Sequence, residues 1–410
     1  MVEFERLYRQ IVIIKRWYVM ESKKRYCIFA AQYFPHLGGV ERYTFNLARK
    51  LIEEGNDVTI VTSNVYRIEK YERVDGIPVY RLPCINLLEG RYPVLKLTKN
   101  FWRIHRALFR KDFDMVIINT RFYLHSLYGM IFAKVKHAKC ITIEHGTSHL
   151  SVHSKFWDSI GALYEHVLTK IDQLFCRDYY GVSEACNEWL KHFHIKAKGV
   201  LYNSIDVEEI ERIKSEVKTS YREQYQIPDQ AIIVTFTGRL LKEKGLPSLL
   251  NVMDQINEKR KDIFLFIAGD GDMEEEINRR KTENIIPLGR IDMEHIVALL
   301  EETDIFCLPS VSEGFSTSIL EAAACNCYIV TTARGGAREL IINDKYGTVI
   351  PDNRESYLIQ ALEKAIDDPG HRKKAVDLTY QRVSQFFTWN NVGKQVEEIC
   401  EHCRRSKSKK

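Results

Sequence analysis

The sequence predicts an α/β protein built from two doubly wound, Rossmann-like units that face each other across a deep cleft. Three observations lead there. Short apolar runs alternate with segments of helical period along most of the chain, the pattern of parallel sheets covered by helices. A polar stretch from Asp206 to Asp229, rich in Glu, Lys and Arg, separates two such series. At 410 residues the chain exceeds one ordinary core and suits two of roughly 200 residues each.

In the first series Tyr26 to Ala31 reads as a strand, Val40 to Glu54 as a helix and Asp57 to Thr62 as a strand. Met115 to Asn119, Cys140 to Glu144 and Leu174 to Cys176 continue the strands, with helices near Val94 to Arg110 and Phe156 to Lys170. The second series opens at Ile232–Phe236 and continues at Ile263 to Ala268, Asp304 to Leu308 and Tyr328 to Thr332, each followed by a Gly-containing loop and a helix. The expected organisation is an extension over 1–24, a first domain over 25–205, a second over 206–385 and a terminal segment over 386–410. In doubly wound sheets ligands bind beyond the carboxyl ends of the strands, so two facing units place their functional loops along one cleft.

The most informative segment runs from Ser312 to Ala324. Glu313 falls in the loop after an apolar strand, and Glu321 falls about two turns into the helix that follows. Backbone N–H groups of Ser316, Thr317 and Ser318 at the helix start form an anion site suited to a diphosphate or to sugar hydroxyls. A loop Glu is suited to sugar hydroxyls and a helix Glu to both hydroxyls of a ribose. A solvent-facing Glu pair on an amphipathic helix is the ordinary alternative. Arg239 and Lys244 follow the strand ending at Thr237, where cations oppose a helix dipole and so favour a ligand. Gly38-Gly39 stands between the first strand and its helix, where missing side chains let backbone approach a phosphate or a sugar. His145 ends another strand, and Ser183 stands where a helix cap is expected.

This segment resembles the Glu, seven residues, Glu motif of retaining GT-B glycosyltransferases, in the family 4 (group 1) set that includes bacterial polysaccharide and phosphoinositol mannosyltransferases. The resemblance covers nearly the whole chain. In the family's order stand His36–Glu41, Glu144-His145-Gly146, Val182-Ser183-Glu184, Leu201–Asp206, Thr237–Gly245, Ala268–Gly271 and Gly335–Glu339. It implies that Arg239 and Lys244 hold the diphosphate, that His145 contacts the donor sugar, and that Leu288–Ile291, with Arg290 and Ile291, forms the nucleobase loop. It implies donor contacts at Gly38, Gly39, Gly269, Glu313, Gly314, Phe315, Ser316, Thr317 and Glu321, with His145, Glu313, Arg239 and Lys244 closest to the chemistry. It also implies a retaining, metal-independent transfer from a UDP- or GDP-sugar, in cell-surface polysaccharide or glycolipid synthesis, and a terminal helix crossing back onto the first domain. The chain departs from the family pattern at Asn203-Ser204, where Asn-Gly is usual, and at Ser316, often Gly. A UDP-sugar 2-epimerase on the same fold and a non-enzymatic binding module are the rival readings.

No metal or other cofactor is expected. Asp112-Phe113-Asp114 and Asp270-Gly271-Asp272 spell a metal motif by coincidence with strand ends, and Cys400–Cys403 lacks a second ligand pair at zinc spacing. The ten cysteines form no paired framework, which points to a reducing, cytoplasmic setting. The formal charge of +5 gathers at both ends of the chain, without the aromatic interleaving of nucleic-acid sites. Together with apolar residues among positions 4 to 20, too few to span a bilayer, the basic ends suggest peripheral contact with an anionic membrane and a saccharide or lipid-linked acceptor, with no nucleic acid.

Overall fold

A computed structural model describes residues 23–36, 38–150 and 154–407. The expected membrane contact among residues 4–20 and the basic side chains beyond 403 lie outside what is described, as does Leu37 of the first motif.

The first unit contains β1 (Arg25–Ala30), β2 (Asp57–Ser63), β3 (Tyr71–Val74), β4 (Ile77–Leu82), β5 (Cys84–Leu87), β6 (Tyr92–Leu95), β7 (Met115–Asn119), β8 (Lys139–Glu144), β9 (Tyr179–Gly181) and β10 (Gly199–Val200). Eight of these make one sheet in the order β10-β9-β8-β7-β1-β2-β4-β3, parallel except where β3 meets β4. β1 and β7 are central because their runs are apolar on both faces and buried on both. β5 and β6 pair as a separate hairpin.

The second unit is a six-stranded parallel sheet of β11 (Ile232–Thr237), β12 (Ile263–Ala268), β13 (Ile285–Gly289), β14 (Ile305–Leu308), β15 (Tyr328–Thr332) and β16 (Thr348–Ile350). Its order, β13-β12-β11-β14-β15-β16, reverses between β11 and β14. A crevice opens at such a switch point, since the loops beyond the two neighbouring strands diverge to opposite faces. Arg239 follows β11 and Glu313 follows β14.

The chain then returns to the first unit. Thr388 bridges to Ile205, and helix Trp389–Lys407 starts with Trp389 edge-on to Tyr43 at 5.0 Å. Farther along, Lys24 Nζ lies 2.8 Å from Glu401, and Asn56 Nδ2 donates to Glu397 at 2.8 Å. The crossing helix starts at Trp389, where Thr388 Oγ1 accepts from the Asn391 N–H at 3.4 Å.

Two sequence expectations need correction. Leu174–Cys176 is a turn rather than a strand, and the paired residues are Tyr179–Gly181; a three-residue apolar run has no period to separate the two, and Leu174 is 65% exposed. The span from Val94 to Arg110 is not one helix: Tyr92–Leu95 is β6, and the helix begins at Lys99, where Thr98 accepts a hydrogen bond from the Phe101 N–H. The boundary stretch from Asp206 to Asp229 is itself folded: Asp206 caps helix Val207–Glu216, which packs Ile210 and Ile213 into the core.

Candidate active site

One cleft of about 1100 Å³ runs between the two units, and every sequence-predicted site residue lines it. The units meet on backbone. Thr147 Oγ1 donates to the Glu313 carbonyl at 2.8 Å, Ser183 Oγ to the Gly314 carbonyl at 2.8 Å and Asn203 Nδ2 to the Phe315 carbonyl at 2.7 Å. All three donors belong to the first unit, so its loops hold Glu313–Phe315. A Cβ on Gly314 would lie 2.0 Å from the His145 carbonyl oxygen, so only glycine fits between the two units there. Ser183 also caps its helix, accepting from the Cys186 N–H, so capping and docking are one role. Asn203, the half of Asn203-Ser204 that keeps the family pattern, serves the same junction, whereas the Ser204 hydroxyl turns back to the Tyr202 carbonyl.

Lys244 ends a 3-10 turn, Lys242–Lys244, ahead of helix Leu246–Lys259. The intervening Gly245 has φ +78, and a Cβ there would strike the Pro309 carbonyl oxygen at 2.0 Å. The turn is thereby pressed against the end of β14. Lys244 Nζ lies 2.6 Å from Glu313 Oε1, which also accepts from Ser310 Oγ at 2.7 Å. The two predicted residues thus pair with each other, and a donor would have to share or displace that pair. Arg239 is exposed on the cleft wall. Its charge reaches the first unit, opposing protonation of His36 and drawing down the pKa of Glu41. Burial is the larger influence on Glu41 and raises its pKa to about 7.

Helix Thr317–Ala324 starts at Ser316, whose side chain does not cap it. The first-turn N–H groups face the cleft with the positive end of the helix dipole behind them. Glu321 stands little more than one turn in, since the helix starts at Thr317, nearer the anion site than the two turns expected. It is buried, which pushes its pKa up, and Arg42 Nη1, 3.9 Å from its carboxylate, pulls it down. Arg42 comes from helix Gly39–Glu53 of the first unit. It has no counterpart in the sequence reading because its partner lies far along the chain.

His145 follows β8 with its ring edge-on to Tyr43 at 4.8 Å. Thr44 Oγ1 donates to the Val40 carbonyl at 2.8 Å and therefore accepts from Asn119 Nδ2 at 2.7 Å. Asn119 then turns its Oδ1 toward His145 Nε2, 3.0 Å away, so that nitrogen carries the proton. Desolvation lowers the ring's pKa to about 3. His145 is thus a neutral imidazole with a lone pair on Nδ1, suited to accepting a hydroxyl hydrogen bond rather than supplying charge. Beneath it, the Glu144 carboxylate accepts the N–H groups of His145 and Gly146, each at 3.1 Å, and is itself held by Arg121 at 2.7 Å.

The glycines differ in kind. A Cβ on Gly38 would lie 2.5 Å from Glu41 Oε2, whereas one on Gly39 would meet nothing within 4 Å, so Gly39 opens onto the cleft. Gly269 has φ +146 and its Cβ would fall 1.8 Å from the Gly238 carbonyl, which packs β12's end against β11's. Arg290 and Ile291 lie at the same end, with Arg290 3.7 Å from Asp270. Asp112 and Asp114 pair with Arg25. The nine cysteines whose side chains are described are free thiols; the Cys403 side chain lies outside them.

A family model described as "Glycosyltransferase Family 4" matches residues 37–209, and one described as "Glycosyl transferases group 1" matches residues 217–382. An uncharacterized glycosyltransferase of Methanocaldococcus jannaschii is 28% identical over 394 residues, covering 92% of this chain and 98% of that one. The GPI3 subunit of phosphatidylinositol N-acetylglucosaminyltransferase from Saccharomyces cerevisiae is 28% identical over 381 residues, covering 90% and 80%. Among solved structures, Anabaena HepE in complex with UDP superimposes with a TM-score of 0.70 at 17% identity, over 93% of this chain and 100% of that one. With a matching family model on each unit, in the right order, the chain belongs to the family 4 glycosyltransferases and has their GT-B fold.

Proposed function

We propose that this chain transfers a sugar, with retention of anomeric configuration, from a UDP- or GDP-sugar to a lipid-linked acceptor at an anionic membrane surface. The observation that carries the donor half is the convergence of Arg239, Lys244, Glu313 and Glu321 on one cleft beside an uncapped helix start. In this reading Glu321 takes the ribose hydroxyls, Glu313 takes hydroxyls of the donor sugar, and Arg239, Lys244 and the first-turn N–H groups take the diphosphate. The bond from the anomeric carbon to the diphosphate oxygen breaks as the acceptor oxygen bonds to that carbon on the same face. The acceptor proton passes to the leaving phosphate. Fixed cations matter most where that negative charge grows.

Incubating the full chain with a panel of UDP- and GDP-sugars and phosphatidylinositol vesicles, read by mass spectrometry, tests this. The expected result is one lipid heavier by one sugar residue, and α or β assignment by NMR matching the donor. An isomerised donor with no heavier lipid would instead support the epimerase reading. Because two cations and a helix end already face the diphosphate, transfer is expected to proceed after EDTA treatment. Recovery of lost activity by Mg²⁺ or Mn²⁺ would overturn metal independence.

The acceptor half rests on two features. The yeast relative is named for phosphatidylinositol, and helix Lys155–Asp172 carries an apolar face turned to solvent. Phe156, Ile160, Leu163, Val167 and Ile171 recur at helical spacing, with Trp157 beside them, and Phe156, Trp157 and Leu163 are 68%, 61% and 66% exposed. A patch of this size on a protein surface marks an interaction site. Lys155 and Lys170 lie exposed on the same helix, a combination suited to anionic headgroups above acyl chains. In this reading the first unit adds a membrane contact to the one expected at the chain ends, most of which lie outside the described residues. No described helix is long and apolar enough to cross a membrane. The variant Trp157→Ser/Leu163→Ser/Val167→Ser is expected to lose co-sedimentation with phosphatidylinositol vesicles while keeping nucleotide binding. Equal sedimentation of variant and parent would remove this helix from the contact.

A further inference from the structure

Beside the apolar stripe of that helix, three histidines come together. His166 Nε2 lies 3.1 Å from His192 Nε2, and His149 Nε2 lies 3.3 Å from that same atom. The ligand atoms of all three fall within 4.8 Å of one another. They come from different elements: the loop after β8, helix Lys155–Asp172 and the end of helix Glu184–Lys191. Trp189 stacks on His192 at 4.9 Å, and Phe193 packs against His166 at 4.7 Å.

With His149 in the tautomer that Glu165 selects, hydrogen bonding alone does not satisfy this arrangement. His149 Nδ1 lies 2.9 Å from the Glu165 carboxylate, so that nitrogen carries a proton, and in the tautomer this selects Nε2 presents a lone pair. If His192 Nε2 carries a proton, that one hydrogen faces both His149 and His166. If it does not, its lone pair faces the lone pair of His149. A cation among the three nitrogens removes the conflict. Three imidazoles, one fixed by a carboxylate on its other nitrogen, are the pattern of a zinc centre with an open fourth position. Tetrahedral Zn–N bonds place ligand nitrogens about 3.3 Å apart, close to the 3.3 and 3.1 Å from His192 Nε2 to the other two; the His149–His166 pair, within the 4.8 Å span of the cluster, would close onto the ion as it binds.

We propose that His149, His166 and His192 form a zinc-binding site on the first unit, outside the donor cleft. It departs from the expectation of no metal, which weighed only the Cys400–Cys403 and Asp-x-Asp spacings: His149 and His192 stand 43 positions apart. Its place in the fold gives it a task. Glu165, which orients His149, also holds Arg121 at 3.4 Å, and Arg121 holds Glu144 beneath His145. A metal here ties the helix with the exposed apolar face to the loop that carries His145. The chemistry in the cleft is not routed through it.

The test uses the full chain, stripped with a chelator and titrated with Co²⁺ as an optical probe, then with Zn²⁺ in competition. One equivalent of Co²⁺ should bind with the strong visible absorption of a four-coordinate ion, without the near-ultraviolet band that a Cys thiolate adds, and Zn²⁺ should displace it. Outer-shell changes typically cost 10- to 100-fold in metal affinity. Glu165→Gln is expected in that range, and His192→Ala and His166→Gln beyond it, whereas His295→Ala in the second unit should bind as the parent does. His192 is exposed, so its variant tests the site with the least disturbance to folding, checked by circular dichroism. Folded His192→Ala and His166→Gln proteins that bind Co²⁺ as tightly as the parent, or a parent that binds none, would overturn the site. Loss of transfer after EDTA that Zn²⁺ alone restores in the parent, and does not restore in His166→Gln, would trace that loss here rather than to the diphosphate.

Discussion

Arg239→Ala is expected to lower the transfer rate about 100- to 1000-fold, the usual consequence of removing one preorganised group that stabilises developing charge. Thermal stability should move little, since Arg239 is exposed on the cleft wall and surface substitutions typically stay within about 0.5 kcal/mol. The comparison should use a pH where Glu41 does not intrude. Burial raises the Glu41 pKa to about 7 and Arg239 draws it down. The folded state therefore holds this proton more tightly than the unfolded chain. Stability from Glu41 is fully present below the unfolded pKa of 4.5 and is lost as pH rises through about 7. Removing Arg239 raises that pKa further, so any added instability belongs to neutral and alkaline pH and should vanish near pH 5. Near-normal turnover by the variant with the best donor would end the leaving-group assignment for Arg239.

The sequence speaks most clearly where one short segment holds both the local structure and the chemistry. Ser312 to Ala324 is such a segment: its apolar spacing sets the helix, its start supplies N–H groups, and its two Glu residues lie on the same stretch of chain. Four strands of the second sheet, β11, β12, β14 and β15, are legible for a similar reason, being continuous apolar runs followed by glycine-containing loops. Short edge elements are not. The hairpin of β5 and β6 alternates poorly, and its exposed Ile85 and Leu87 give no inward face to read.

The supporting residues are illegible for a different reason. Asn203 and the carbonyl it binds are 112 positions apart, and Arg42 meets Glu321 only after both units have folded and docked. Asn119 fixes the His145 tautomer through Thr44, a chain of three side chains from three elements. Each of these residue types is common on surfaces, so nothing in composition or period sets them apart. Arg42 and Asn203 suggest that the docking of the units is itself specific, since both reach across to the segment holding Glu313 and Glu321.

Arg121→Met is expected to cost about 3–5 kcal/mol of stability, the range for removing one partner of a buried ion pair. Arg121 is 1% exposed, among the largest fully buried side chains, and bonds Glu144 at 2.7 Å and Glu165 at 3.4 Å, both also buried. Its guanidinium also lies 3.7 Å over the Phe193 ring, a stacking contact that methionine can replace only in part. Methionine keeps the volume but leaves two carboxylates in the interior without their cation, and that desolvation dominates the cost. The damage should extend to function, because Glu144 is the acceptor that sets the backbone of His145 and Gly146. The triple variant Arg121→Met/Glu144→Gln/Glu165→Gln should recover part of the lost stability, since no charge then remains buried alone. It should not recover full transfer, because a neutral amide holds those two N–H groups less firmly than a carboxylate does. Denaturant midpoints for parent, single and triple variants provide the check. A single variant within about 1 kcal/mol of the parent, the scale of an ordinary substitution, would mean that the network beneath His145 carries neither the fold nor the site.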